Sequence, residues 1–236
     1  MELVTYYDDY WSDKDDSIDV NRLALIARHV KPNEKVLEVD CSTGVLAKMM
    51  QDNGAEVAGT DISNVAVERT RKKGVQAVQV DLDTDTLPFA DDTFDAVISD
   101  SGVEHLFFSQ KAVAECIRVL KPDGRFILNL PNIGHWRYRI WLLFGRFPYI
   151  KDSPTDETHL RFFTLYEAKR MCESLGVRVE SVDGSASLWV RGFYPSFLRR
   201  RVAQNVYTWA THKMPSILAR DFILICKKRR NGRQSN

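Results

Sequence analysis

Short apolar segments that end near an acid and run straight into a helix recur along this chain, and that alternation confines it to few folds. KVLEV (35–39) leads through Cys41-Ser42-Thr43-Gly44 into a helical stretch closed by Gly54. AEVAGT (55–60) ends at Asp61 and precedes a helix stopped by Gly74; VQAVQV (75–80) ends at Asp81. FDAVIS (94–99) precedes a helix with Ala112, Val113, Cys116, Ile117 and Leu120 on one face, and RFILNL (125–130) follows. β-Branched runs alternating with amphipathic helices predict a mainly parallel sheet covered on both faces, with ligands at the carboxyl ends of its strands. Upstream, Leu23, Ile26, Ala27 and Val30 predict a helix over 18–30. Downstream, Thr164 and Glu167 form a T-x-x-E start for a helix closed by Gly176. VRVESV (177–182) and DFILIC (221–226) complete the set, the last inserting antiparallel. The expected fold is α/β, a Rossmann-like doubly wound, mostly parallel seven-stranded sheet with an antiparallel last strand.

Composition removes several alternatives. The 236 residues are 44% hydrophobic and 28% charged, globular usage with enough chain for one substantial core. The longest apolar-rich run without a charge, from Phe126 to Trp136, is well short of the ~18–20 residues of a membrane-spanning helix. Asp8, Asp9, Asp13, Asp15, Asp16 and Asp19 around a single Lys14 are the reverse of a secretory signal, which makes a cytoplasmic location the expectation. Cys41, Cys116, Cys172 and Cys226 are far apart with no C-x-x-C pair, so neither a cysteine zinc site nor a disulfide framework is encoded; buried thiols and no metal are expected. From Arg191 onward there are eleven Lys or Arg against one acid, Asp221. A basic run alone supplies only non-specific nucleic-acid binding, and a nucleic-acid partner is not expected.

The strand-end acids carry the chemistry. Glu38 and Asp40 end the first strand, Asp61 the second and Asp81 the third. An acid at the second strand end sits where a ribose diol is accepted, and Asp81 is placed to accept from an adenine amine. Taken singly each acid is equally a helix N-cap; three in succession favour a nucleoside site. A dinucleotide needs G-x-G-x-x-G, and only Gly44 is present; there is no G-x-x-x-x-G-K-[ST] phosphate loop either. A nucleoside without a pyrophosphate fits better.

VLEVDCSTGVLAKMM, GTDIS, VDLDTDTLPFADDTFDAVIS, GVEHL and VLKPDGRFILNLPN, over about 35–185, resemble the class I S-adenosylmethionine-dependent methyltransferases. PNIGHWRYRIWLLFGRFP resembles MetW-type proteins, and DETHLRFFTLYEAKRMCESLG is similar to methyltransferases of saccharide or cell-surface biosynthesis. The resemblance implies S-adenosylmethionine as cofactor, with Glu38, Asp40, Cys41, Ser42 and Gly44 along the methionine moiety, Asp61 on the ribose, Asp81 on the adenine and Leu82 beside the ring. Ile62 and Ser99 complete that set. The element pattern places a domain over 35–227 with insertions at 132–163 and 188–218, preceded by a helical flap (1–34) and followed by a basic tail (228–236). One departure stands out: where the family's loop reads acid-x-Gly-x-Gly-x-Gly, Asp40 and Ser42 replace two glycines that permit positive φ and close backbone approach. Two readings follow, a methyltransferase acting on a small saccharide- or lipid-linked acceptor, or a non-catalytic MetW-type accessory protein that contacts a partner enzyme. A nucleic-acid methyltransferase is a third reading.

Methyl transfer from a sulfonium needs mainly alignment, and a base only for a weakly acidic acceptor. His105 is the first candidate base and His159 the second; Glu104, His135, Trp136 and Arg161 are candidate acceptor contacts. Leu198, Val202, Val206 and Trp209 repeat at helical spacing beside Arg199, Arg200 and Arg201. That stripe packs on its own domain, lines an acceptor lid or, over 195–213, rests on an anionic membrane surface. Tyr10 and Trp11 belong to a flap over the cofactor or to the core.

Overall fold

The computed structural model describes residues 3–14, 19–186, 194, 195, 198 and 200–229. Its strands are β1 (Lys35–Val39), β2 (Glu56–Asp61), β3 (Gln76–Gln79), β4 (Phe94–Asp100), β5 (Leu120–Pro131), β6 (Val177–Ser185) and β7 (Asp221–Lys228). They form one sheet in the order β3-β2-β1-β4-β5-β7-β6. β1 pairs in parallel with β2 and β4, and β4 with β5, while β7 runs antiparallel between β5 and β6. The doubly wound reading therefore holds, antiparallel last strand included. The helices are α1 (Leu3–Asp13), α2 (Val20–Ala27), α3 (Val45–Asp52), α4 (Asn64–Lys72), α5 (Ser109–Val119), α6 (Trp136–Leu143), α7 (Leu165–Ser174), α8 (Arg201–Lys213) and the short α9 (Pro215–Leu218).

Strand alternation divides the core between two faces. Leu37, Val97, Phe126 and Leu128 point to the side covered by α5 and α7, against Ala112, Val113, Cys116, Ala168 and Cys172. Val36, Ala96, Ile98, Ile127 and Ile223 point the other way, against Leu23 and Ile26 of α2 and Leu46, Ala47 and Met50 of α3. The middle residues of β1, β4, β5 and β7 face cover on both sides, which is why these strands read as continuous apolar runs in the sequence. Each fully buried Leu or Ile there contributes about 1.5–3 kcal/mol. All four cysteines are free and buried. Among the described residues, no helix is long and apolar enough to cross a membrane.

Thr164 caps α7 as its T-x-x-E pattern predicts, its hydroxyl accepting from the Glu167 N–H at 3.3 Å. The stripe on α8 behaves otherwise. Leu198 is buried, but Val202, Val206 and Trp209 are 77%, 60% and 65% exposed. The inward side of α8 instead carries Ala203 and Tyr207, which pack on Tyr138, Tyr194 and Leu198. Periodicity thus located the helix, and of the three readings of its stripe this exposure removes packing on its own domain. Arg199 and most of the basic tail lie outside the described residues.

The end of α2 is fastened to β6 by Asp183, which accepts from Arg28 at 2.5 Å and bonds His29 at 2.9 Å. His29 and Arg28 together hold the Asp183 carboxyl down at about 2, against 3.8 for a free aspartate. A carboxyl depressed on folding adds stability above its unfolded value, and that stability disappears as pH falls through the folded one. Asp183→Asn is therefore expected to cost about 1 kcal/mol at neutral pH, after discount for solvent screening. Urea titrations should show the difference from wild type closing between pH 4 and pH 2.

Candidate functional site

The carboxyl ends of β1 to β5 share one edge of the sheet, and a cavity of about 610 Å³ opens there. That volume suits a nucleoside-sized ligand. Glu38, Asp40, Ser42, Asp61, Ile62, Asp81 and Leu82 line it, as the sequence predicts. Tyr6, Tyr7, Tyr10 and Trp11 of α1 close one side. α1 buries none of its own residues and is held by specific bonds. Asp8 accepts from the Ser63 hydroxyl at 2.6 Å, and Arg69 donates to the carbonyls of Trp11 and Lys14 at 2.7 and 2.6 Å.

The β1–α3 loop holds two non-glycine residues in the left-handed region. Asp40 and Ser42 take φ of 56° and 47°, with Gly44 at 75°, so the left-handed turns survive with side chains present. Such a conformation costs a non-glycine residue about 1–3 kcal/mol. The Asp40 carboxylate is accommodated because it lies over Gly102, where any Cβ would overlap it. Gly44 has no such latitude, since a Cβ there would stand 2.9 Å from Thr70 Cα. Asp61 fixes the loop from the neighbouring strand: its two oxygens accept from the backbone N–H of Ser42 at 2.8 Å and of Ser63 at 2.9 Å.

Acids outnumber lysines and arginines along the cavity wall. Burial, then Asp61, raise the Asp40 carboxyl to about 7, and burial raises Asp61 to about 6. Burial and then Asp100 push Glu38 up as well, and its Oε2 has no hydrogen-bond partner. An orphaned, buried carboxyl oxygen facing a cavity of acids fits a ligand that carries positive charge and hydroxyl or amine donors. S-adenosylmethionine is such a ligand, and the residues present fit it.

Glu104, His105 and His159 line the same cavity. Glu104 and His105 belong to a 3₁₀ turn (Val103–His105) after β4, and the Glu104 carbonyl accepts from Leu160 and Arg161 N–H, both at 3.0 Å. Those bonds bring the segment of His159 against the turn, and the two imidazoles meet edge to face at 4.7 Å. Burial, then His159, lower His105 to about 4, and burial lowers His159, so both rings are neutral at neutral pH.

Six predicted residues lie off the cavity wall. Cys41 is buried beneath the loop, its sulfur 3.6 Å from the Thr70 hydroxyl, and Gly44 packs on that same residue. Ser99 is buried and reaches Asp40 at 3.4 Å. His135 is fully buried and caps α6, its Nε2 sharing the Tyr207 hydroxyl (3.1 Å) with Trp136 Nε1 (3.1 Å). Arg161 donates to the Phe107 carbonyl at 2.7 Å and stacks on that ring. These last three build structure around the site because tertiary partners claim their polar atoms.

The sequence reading missed Arg22 and Asp100. Arg22 donates to Asp100 and to the Ser101 hydroxyl at 2.7 Å each, and Asn129 donates to the same two acceptors at 2.8 Å each. Asp100 is one more strand-end acid and was legible as such; Arg22, on a helix otherwise read by its apolar face, gave no signal. Arg220 and Asp221, bonded to one another at 2.9 Å, complete this wall.

The family model of methionine biosynthesis protein MetW matches residues 21–228. The chain belongs to the MetW family. It is 29% identical over 177 residues to a Mycolicibacterium smegmatis protein named "Probable S-adenosylmethionine-dependent methyltransferase", covering 75% of this chain and 63% of that one. It is 31% identical over 119 residues to demethylmenaquinone methyltransferase of Renibacterium salmoninarum, covering 49% of this chain and 50% of that one. The chain thus spans less than two thirds of the length of these curated relatives. An Archaeoglobus fulgidus SAM-dependent methyltransferase superposes with TM-score 0.61 at 18% identity, covering 96% of this chain and 100% of that one. The [4+2]-cyclase SpnF superposes equally well, with TM-score 0.61 at 20% identity over 92% of this chain and 85% of that one. This MetW-family chain therefore has the class I methyltransferase fold, and S-adenosylmethionine is the cofactor its membership implies. The cyclase shows that the fold by itself does not name a reaction.

Proposed function

We propose that this MetW-family chain is an S-adenosylmethionine-dependent methyltransferase whose acceptor is a small hydroxyl-bearing molecule, a saccharide- or lipid-linked intermediate. The observation that carries the reading is one cavity lined both by the strand-end acids and by two neutral imidazoles beside a buried carboxyl. Asp61 and Asp81 would hold the nucleoside, Leu82 and Ile62 its ring, and Glu38 and Asp40 the positively charged methionine portion. When bound, the cofactor supplies an electrophilic methyl on a sulfonium. This chain's own part is to orient the acceptor beside Glu104, His105 and His159, to take up the hydroxyl proton there, and to exclude water with the aromatic side of α1. The exposed Val202, Val206 and Trp209, flanked by Arg200, Arg201 and Lys213, suit an anionic lipid surface and favour a lipid-linked acceptor.

The test is transfer of labelled methyl from S-adenosylmethionine into fractionated small-molecule and lipid extracts. Label is expected in a non-macromolecular fraction, with a loss of at least about 100-fold in His105→Ala or His159→Ala. Label confined to RNA or DNA contradicts the reading. A second reading, an accessory protein that binds the cofactor without turnover, draws on the family match and on Asp40 and Ser42 standing at positive φ in the β1–α3 loop. It predicts cofactor binding, no label in any fraction, and co-purification with a partner enzyme such as an acyltransferase.

A further inference from the structure

Glu104 is 1% exposed, and neither of its carboxyl oxygens accepts a hydrogen bond from another residue. A buried polar group left this way is rare and calls for a partner. The two histidines beside it are oriented in a telling way. His105 Nδ1 lies 3.1 Å from the Thr158 carbonyl, and His159 Nδ1 lies 3.2 Å from the Pro154 carbonyl. A carbonyl only accepts, so each neutral ring carries its proton on Nδ1 and keeps a lone pair on Nε2. Metal-binding histidines are fixed in this manner, with one ring nitrogen donating to a backbone carbonyl and the other left to ligate.

Distances agree. His159 Nε2 is 4.0 Å from Glu104 Oε1, and one ligand atom from each of the three residues lies within 4.8 Å of the others. The gap is too long for a hydrogen bond. Two ligands each about 2.1 Å from a common ion are separated by at most about 4.2 Å, so small side-chain rotations close the set. The backbone bonds from Leu160 and Arg161 to the Glu104 carbonyl hold the two contributing segments in register.

We propose that Glu104, His105 and His159 form a binding site for one divalent transition-metal ion. Two imidazoles disfavour Mg²⁺ and Ca²⁺, which prefer oxygen alone, and the absence of thiolate from the set disfavours Cu(I). Zn²⁺, Mn²⁺, Fe²⁺ and Co²⁺ match the donors. Three protein ligands leave open positions that face the cavity, and an acceptor oxygen is the ligand those positions take; with the ion bound, its charge eases loss of the hydroxyl proton in place of a free imidazole base. That assignment deepens the methyl-acceptor reading and rests on it; the ion site stands on its own geometry. The sequence conceals the site because its ligands come from two distant segments and not from a spaced cysteine or histidine cluster.

Tag-free, full-length protein freed of metal with a chelator is titrated with Zn²⁺ by calorimetry and with Co²⁺ by visible absorption, alone and with S-adenosylmethionine. One equivalent per chain, a ligand-field spectrum for Co²⁺, and binding weakened at least about tenfold in both Glu104→Gln and His159→Ala are expected. Glu104→Gln preserves shape, so it decides the matter if His159→Ala folds poorly. Absence of stoichiometric binding, or binding that both folded variants leave unchanged, overturns the site. Zn²⁺ bound without any cofactor binding would overturn the cofactor reading and leave the ion site standing. Cofactor bound in a protein that takes up no ion would do the opposite.

Discussion

Asp61→Ala is expected to weaken S-adenosylmethionine binding by about 100-fold, roughly 3 kcal/mol. Two losses combine. The ribose loses a charged acceptor, and the β1–α3 loop loses the bond from Asp61 to the Ser42 N–H that holds residue 42 in its left-handed turn. Hydrogen bonds to a charged group contribute about 1.5–3 kcal/mol each. Asp61→Asn retains one acceptor oxygen and offers an amide to groups that only donate, so about a tenfold loss is expected for it. Calorimetry on the two variants separates the effects, because the loop contribution also lowers thermal stability and the ribose contribution does not. An affinity unchanged in Asp61→Ala would remove the nucleoside from this part of the cavity.

The largest effect on stability is expected at Arg22. Its guanidinium and the Asp100 carboxylate are 12% and 9% exposed and bonded at 2.7 Å. Burial drives the Asp100 carboxyl upward and Arg22 opposes it, with Asp221 and Asp19 adding to the local negative charge. Arg22→Met leaves Asp100 as an uncompensated buried acid, and breaking such a pair costs about 3–5 kcal/mol. For a domain of this size, that corresponds to a fall in melting temperature of about 6–20 °C. The double variant Arg22→Met, Asp100→Asn removes the orphaned charge and should recover part of the loss. The cycle measured by chemical denaturation gives the coupling energy. A single variant within 1 kcal/mol of wild type would mean that Asp100 is protonated and that the ion pair contributes nothing.

The central strands were legible because each carries a short apolar run buried on both faces, and their order followed from the helices between them. The acids at their carboxyl ends were legible for a related reason: parallel connection brings those ends to one edge, so Glu38, Asp40, Asp61 and Asp81 converge without further information. His135 shows where the logic fails. It follows β5 on that same edge, yet its ring is enclosed by Tyr138, Tyr194 and Tyr207, two of which lie far along the chain. Trp136 and the α8 stripe fail similarly, since periodicity marks a helix but not the neighbour that chooses its inner face. Gly102 is a subtler case. Its spacing from Asp40 says nothing, but in space its missing Cβ is what makes room for the carboxylate of a residue held at positive φ.

Titration of the wild-type protein with S-adenosylmethionine and S-adenosylhomocysteine by calorimetry tests the central claim most directly. One site per chain with micromolar affinity for both is predicted, corresponding to about 8 kcal/mol. Heat indistinguishable from dilution up to millimolar ligand would show that Asp40 and Ser42 have closed the loop to the cofactor. The cavity would then have to serve a different ligand.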